Sequence, residues 1–340
     1  MRRPLLVLLA LAIVAGLAGG ALLARRSTAD ARRAAPPVAA PATEPGCVDL
    51  DADGFGRGCS RGPDCNDRDR GVSPGARETC NFRDDDCNGL VDDSAACPVP
   101  ALDHRRVRVP STSFAMGSER GADDEGPVHR VAVAGFEIDR HEVTNGRYLA
   151  CVAAGRCPPP KLLSSNLRAS YYADTRFADY PVVFVDHGMA ASFCAFAGGR
   201  LPTEAEWELA ARGDRDQRTY PWGDEAPDCS RANMGGPGGC VGDTDLVGRR
   251  LAGASPYGAL DMAGNVWEWT ADWYDRRYYE TSPAQDPRGP ATGTLKVVRG
   301  GCWLSGADSL RSSCRKAELP ATWAYNVGFR CVYPLTGGGR

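Results

Sequence analysis

The sequence predicts a mixed α+β domain with little regular secondary structure, preceded by a small disulfide-rich acidic module. Two observations carry that expectation. From about residue 105 onward, short alternating apolar stretches and three helix patterns are scattered through Gly-, Pro- and Trp-rich text, so strands and helices share one region joined by long connections. Upstream, Cys47 to Cys97 holds six cysteines and many aspartates, with Phe55 and Phe82 its only aromatics, too little apolar surface for a core of its own. At 340 residues the chain has room for both units plus tails. A formal net charge of -3 with scattered Lys and Arg offers no basic field for a polyanion, so no nucleic-acid partner is expected.

The segment 1–26 opens with Met1-Arg2-Arg3-Pro4 and continues apolar from Leu5 to Ala24, the pattern of a signal peptide or signal anchor. It is long enough to span a bilayer, and Gly19-Gly20-Ala21 is a mediocre cleavage site, which favours an uncleaved anchor. Arg25 and Arg26 on its far side weaken the charge argument for an outside C-terminus. No cysteine lies near the segment, which excludes a lipoprotein anchor. Fourteen cysteines, an even count, read as a disulfide framework in an oxidising compartment. The expectation is an exported chain, membrane-anchored through this segment or periplasmic/extracellular. Residues 27–45 are Ala, Pro, Arg and Thr without apolar period, a tether.

A module of the size of 46–98 has to be held by cross-links or metal, and it contains the means for both. Asp49, Asp51 and Asp53 alternate before Gly54 like the first half of an EF-hand loop, although the twelfth position is Ser60 rather than glutamate. Asp64-Cys65-Asn66-Asp67 follows, then Ser73-Pro74-Gly75, then Asp84-Asp85-Asp86-Cys87-Asn88-Gly89. This order resembles the metal-binding motif of bacterial surface proteins. Hard carboxylate and amide oxygens, with Asp49, Asp51, Asp53, Asp84, Asp86 and Asn88 as candidate ligands, point to calcium. Copper is not expected, because no histidine or methionine lies between Cys47 and Cys97; three disulfides use the cysteines more economically.

The large domain is expected over 105–334, with 335–340 a tail. Val131 to Ile138 alternates with period two, as a strand does. A helix starts in Val143 to Tyr148, with Thr144 or Asn145 as N-cap. A second spans Gly188 to Ala197 with Met189, Phe193 and Phe196 on one face. A third runs from Thr203 to Ala211, where Thr203 and Glu206 match a capping box.

Four runs then carry a family resemblance: Gly199-Arg200-Leu201-Pro202-Thr203-Glu204-Ala205-Glu206-Trp207-Glu208, Asp261 to Trp269, Arg299-Gly300-Gly301-Cys302-Trp303 and Gly328-Phe329-Arg330-Cys331. Across Val109 to Tyr333 the chain resembles the formylglycine-generating enzyme (sulfatase-modifying factor) family, which implies a C-type-lectin-like α+β fold with Phe114 to Ser118 and Glu125 to Val131 as its opening strands. The resemblance further implies two calcium sites. One uses Asp261, the Gly264 and Val266 carbonyls and Glu268; the other uses Asn233, the Met234 carbonyl and Asp243. The alternative for Glu268 is an ion pair with an arginine such as Arg299. The resemblance also suggests a Cys194–Cys331 bridge. Cys151 and Cys157 flank a short turn, Cys229 and Cys240 flank a Gly-rich loop, and Cys302 with Cys314 are left to pair with each other.

Catalytic relatives oxidise a substrate cysteine with copper(I) held by two thiolates. At those positions this chain has Ser305 and Leu310, neither able to supply soft sulfur. Cys302 and Cys314 are the candidates if activity is retained. The superfamily's nonheme iron enzymes need a histidine triad, and His104, His129, His141 and His187 show no His-x-x-x-His spacing. The reading is an exported, calcium- and disulfide-stabilised binding or scaffold protein with a catalytically silent domain. Its groove near Trp303, Ser305, Arg311, Arg315, Trp323 and Asn326 suits extended peptide or glycan. The alternative is an oxidoreductase of the same family with a remodelled site.

Overall fold

In the computed structural model of the chain, the described residues are 46–79, 84–88, 106–236 and 239–335. The expectations for 1–45, for Cys80, Cys97 and His104 and for the tail beyond 335 fall outside them. Among the described residues, three short sheets, three α-helices and several 3-10 turns make up the regular structure. Strands β1 (Arg106–Val109) and β9 (Val332–Pro334) flank β4 (Phe136–Asp139), all antiparallel. Strands β2 (Thr112–Met116) and β3 (His129–Val133) form a hairpin, Phe114 opposite Val131. The third sheet has the order β7 (Arg315–Glu318), β6 (Lys296–Arg299), β5 (Trp267–Trp273), β8 (Val327–Gly328), with β8 parallel to β5. Among the described residues no helix is long and apolar enough to cross a membrane.

Each helix starts where a side chain can satisfy its unpaired N–H groups. Thr144 caps α1 (Asn145–Ala153) by accepting from Arg147 N, and Asp186 caps α2 (His187–Phe196) by accepting from Met189 N. In α3 (Glu204–Arg212) Thr203 and Glu206 form the expected capping box. The main core joins α1, α2 and the third sheet: Tyr148 stacks on Phe193 at 5.6 Å, and Phe193 meets Phe329 edge-on at 5.5 Å. A second core lies between the β2–β3 hairpin and α3, where Trp207, Leu209 and Ala210 are buried with Phe114 and Val131.

Helix α3 is buried throughout in spite of its three glutamates. All nine of its residues are buried, and its charges are paired inward. Glu208 takes Arg299 at 2.5 Å and Arg212 at 3.3 Å and accepts from Gly117 N at 2.8 Å. Glu204 takes Arg315 at 2.6 and 2.9 Å. Against the cost of burial, Arg315 and Arg299 hold the Glu204 carboxyl below its ordinary value, as close guanidinium partners do.

Loop-rich structure of this kind is fastened covalently. The bridges Cys151–Cys157, Cys229–Cys240 and Cys194–Cys331 are all present in the large domain, and Cys47–Cys59 and Cys65–Cys87 in the module. The expected Cys302–Cys314 bridge is not formed; both are free thiols. Each is held elsewhere: Cys302 Sγ lies 3.5 Å from both Ser305 Oγ and Asn326 Nδ2, while the Cys314 carbonyl accepts from Arg299 at 2.7 Å.

Two predictions follow from this packing. The Cys194–Cys331 bridge closes a separation of 137 residues, so C194A/C331A is expected to lose about 4–5 kcal/mol of stability in a chain-entropy account, measured by denaturant titration; an unchanged midpoint would contradict it. Asp272 on β5 accepts from Glu204 N at 2.8 Å, and burial, then Glu204, pushes its carboxyl up to about 8. The folded state therefore prefers the protonated acid while the unfolded chain ionises near its usual ~3.9. Stability from this group is complete below that value and drains away as pH rises toward 8. Asp272→Asn should melt like the wild type near pH 4 and about 4–8 °C higher near pH 8, corresponding to roughly 2 kcal/mol in a domain of this size.

Candidate functional site

The acidic module brings its carboxylates together in three sets. Asp49, Asp51 and Asp53 offer oxygens within 4.8 Å of one another, as do Asp51, Asp64 and Asp67, and Glu78, Asp84 and Asp86. Several of these oxygens have no hydrogen-bond donor: Asp51 Oδ2, Asp53 Oδ2, Asp64 Oδ2 and Glu78 Oε2 are enclosed and unpartnered. Burial and then repulsion by Asp53 raise the Asp51 carboxyl, and burial with Asp86 close by raises that of Glu78. Converging hard oxygens without donors are a chemical fit to a cation of the calcium type. Asp49 is the exception, since Ala52 N at 2.6 Å and Gly54 N at 2.9 Å occupy both its oxygens and make it a turn cap. Asn88 donates to Asp86 at 3.0 Å. Asp64, Asp67 and Glu78 were missed as ligands because their spacing is not periodic; only the Cys65–Cys87 fold-back brings Asp64 to Asp84.

That fold-back also sets the module against the large domain. A cavity of about 450 Å³ between them is lined by Asp64, Asp84 and Asn88 on one side and Leu167, Arg168 and Phe177 on the other.

The calcium sets implied for the large domain fit less well. Both Glu268 oxygens are taken, by Arg330 at 2.7 Å each and by Trp207 Nε1 at 2.8 Å. Glu268 is thus an ion-pair partner, of Arg330 and not Arg299. Asp243 is likewise engaged, by Arg168 at 3.1 Å, Ser165 Oγ at 2.5 Å and Leu167 N at 2.8 Å. The Met234 carbonyl accepts from Cys240 N at 3.0 Å. Asn233 Oδ1, fully buried, has no donor. The turn from Asp261 to Val266 is tightly built: Asp261 and Asn265 adopt positive φ, and a Cβ at Gly264 would sit 2.2 Å from the Asn233 carbonyl.

Around Ser305 the groove loses its expected cations. Arg311 is bidentate to Glu125 at 2.8 and 2.9 Å, and Arg315 is buried against Glu204 beneath the Tyr279 ring. Neither guanidinium is available to a ligand. Leu310 is fully buried in a small core with Tyr220, Ala232 and Ala263. Trp303 is also buried, against Tyr325 at 5.8 Å. Exposed Leu304, Leu319, Trp323 and Tyr325 remain, beside the polar group of Cys302, Ser305 and Asn326. Burial, with Glu125 adding, pushes the Cys314 thiol up to about 11, so it is protonated at neutral pH and a weak nucleophile or ligand.

The described histidines do not converge. His129 contacts Tyr279 and the Pro127 carbonyl, His141 Nδ1 lies 3.0 Å from the Glu142 carbonyl, and His187 Nε2 lies 3.1 Å from that of Thr270. No group of three metal-binding side chains among the described residues contains a histidine.

With that geometry in hand, residues 95–335 match the family model described as the sulfatase-modifying factor enzyme 1-like domain, and the chain belongs to that family. Residues 64–93 match a second model, described as "Putative metal-binding motif". The chain is 34% identical over 293 residues to the formylglycine-generating enzyme of Streptomyces coelicolor, covering 70% of this chain and 93% of that one. It is 37% identical over 238 residues to the serine/threonine-protein kinase pkn1 of Chlamydia caviae, covering 66% of this chain but spanning only 37% of the kinase. Among solved structures, PvdO from Pseudomonas aeruginosa superposes with a TM-score of 0.58 at 28% identity, covering 72% of this chain and 97% of that one. The α+β architecture is thus the formylglycine-generating-enzyme fold with an acidic, disulfide-bonded module in front.

The module geometry makes Glu78 a discriminating residue. Glu78→Gln removes one unpartnered oxygen charge and is expected to weaken calcium binding to the module about tenfold or more, read by calorimetry. Unchanged affinity would remove Glu78 from the ligand set.

Proposed function

We propose that the chain is an exported, disulfide- and calcium-stabilised protein whose formylglycine-generating-enzyme-like domain binds or scaffolds without catalysing cysteine oxidation. The observation that carries this reading is the pair Ser305 and Leu310. A copper(I) centre of the catalytic relatives' type needs two thiolates, and Leu310 is sealed in the core while Ser305 Oγ accepts from Cys302 N at 3.0 Å. Export is supported by five bridges among the described residues, which persist in oxidising compartments. The N-terminal segment would hold the chain at the cell surface. Calcium in the module is supported by its unpartnered carboxylate oxygens. The ligand would be an extended peptide or glycan laid over Leu304, Leu319, Trp323 and Tyr325, with Ser305 and Asn326 providing polar contacts.

One observation favours the alternative, an oxidoreductase with a remodelled site. Cys302 and Cys314 are free, and Asn326 Nδ2 approaches the Cys302 sulfur. Copper(I) titration of the reduced chain separates the two readings. The wild type is expected to form no stoichiometric two-thiolate complex, and S305C/L310C to gain one, seen by ultraviolet charge-transfer absorption. Tight binding by the wild type that is abolished in Cys302→Ser would overturn the proposal in favour of the oxidoreductase.

A further inference from the structure

We propose that the cavity at the C-terminal end of α3 binds a small oxyanion, the phosphate or carboxylate group of a metabolite-sized ligand. The cavity has a volume of about 300 Å³ and is walled by Pro110, Gly213 and Pro256 together with Arg212, Arg215 and Tyr257. That volume is at the lower end of the range for small-molecule sites. None of its lining residues belongs to the acidic module or to the groove at Ser305, so the proposal is independent of the reading given above.

Two hydrogen-bond donors at the cavity lack an acceptor. Tyr257 packs against the core between α3 and the β2–β3 hairpin, and its enclosed Oη has no partner. Arg212 is buried; its Nη1 donates to the carbonyls of Gly117 at 2.8 Å and Ala115 at 3.3 Å, and its Nη2 lies 3.3 Å from Glu208, but its Nε is unpartnered. Enclosed donors left unmade are costly, and an acceptor oxygen between them removes the cost. Burial, with Asp214 adding, pushes the Tyr257 hydroxyl up to about 12, so at neutral pH it keeps the proton that it would donate.

Charge points the same way. Arg212 is the outer guanidinium of a buried ladder in which Arg212, Arg299 and Arg315 share two carboxylates, Glu204 and Glu208. At the cavity itself Arg218 is already neutralised, held at 2.7 Å by each oxygen of Asp216. Asp214 opposes an anion, but one of its oxygens accepts from the Thr112 hydroxyl at 2.8 Å, and Arg215 next to it offsets its charge. Arg215 is exposed and, among the described residues, has neither an ion pair nor a hydrogen bond. Its side chain is therefore free to swing aside, admit a ligand to Tyr257 and Arg212, and close over it with the planar fork that guanidinium offers to carboxylate and phosphate. The opposite wall is fixed: Gly213 adopts a φ of 81°, and a Cβ there would lie 2.9 Å from the Pro256 ring.

Inorganic phosphate is the probe, titrated with the full chain at constant ionic strength in chloride and read by phosphorus NMR line broadening. The wild type is expected to broaden the phosphate resonance saturably. Tyr257→Phe and Arg215→Ala should each weaken binding about tenfold, the size of one charge-assisted hydrogen bond. Displacement of phosphate by acetate would extend the site to carboxylates, and failure of acetate to compete would assign it to phosphate alone. Absence of broadening, or wild-type affinity in both folded variants, would overturn the site and leave water as the occupant of the cavity. Arg215 is at the surface, so R215A decides by the same outcomes should Y257F fail to fold by circular dichroism.

Discussion

The buried ion pair between Glu208 and Arg299 is the constraint from which the large domain is hung. Both side chains are fully out of solvent, so neither tolerates loss of the other, a loss that costs about 3–5 kcal/mol in comparable settings. Arg299 also donates from Nη1 and Nη2 to the carbonyls of Ser312, Ser313 and Cys314 at 2.7–2.8 Å. The other oxygen of Glu208 accepts from Gly117 N. One helix residue thereby ties together α3, the end of β2, strand β6 and the loop that leads into β7. The neighbouring positions repeat the device, with Glu204 taking Arg315 and Trp207 reaching Glu268, itself paired with Arg330. A fold with such short strands is specified as much by these charge pairs as by its sheets.

That lattice explains which parts of the structure were legible in the sequence. Local rules were sufficient where local chemistry decides. The Thr203–Glu206 capping box, the Thr144 cap and the period-two alternation near Val131 all produce the expected elements. Long-range charge pairing leaves no such trace. Arg311 and Arg315 read as groove cations because nothing nearby in sequence claims them, yet Glu125 and Glu204 do, at separations of 186 and 111 residues. Glu268 was expected either to bind calcium or to meet Arg299; it meets Arg330, because Arg299 is already committed to Glu208. For the same reason Cys302 and Cys314, the two cysteines left over by counting, do not pair: the backbone of Cys314 is fixed by Arg299 and the thiol of Cys302 by Ser305 and Asn326.

The site near Ser305 follows from the same framework. The turn after Gly301 is held by Trp303 N on the Asn265 carbonyl at 2.9 Å and by Ser305 N on that of Cys302 at 2.8 Å. Leu310 is a core position, and the exposed apolar surface lies at Trp323, Tyr325, Leu304 and Leu319. Rigid aromatic area on a loop braced by buried ion pairs is suited to recognition, because little conformational freedom is lost when a ligand covers it.

The acidic module is organised by the opposite principle. It has almost no apolar core, and Val72 is the one aliphatic side chain fully buried within its described residues. Two disulfides constrain its described residues, yet burial and then repulsion by neighbouring carboxylates raise the proton affinity of Asp51 and Asp64. Without a counter-ion those contacts oppose folding; a bound cation would turn them to its favour. The module packs against the Leu167 to Phe177 loop through Asp64 and Asp84, the latter close enough to add to the raised proton affinity of Tyr180. Cation loading would therefore act on the contact as well as on the module. A cation there would lessen the repulsion within the wall that faces Arg168 and Phe177.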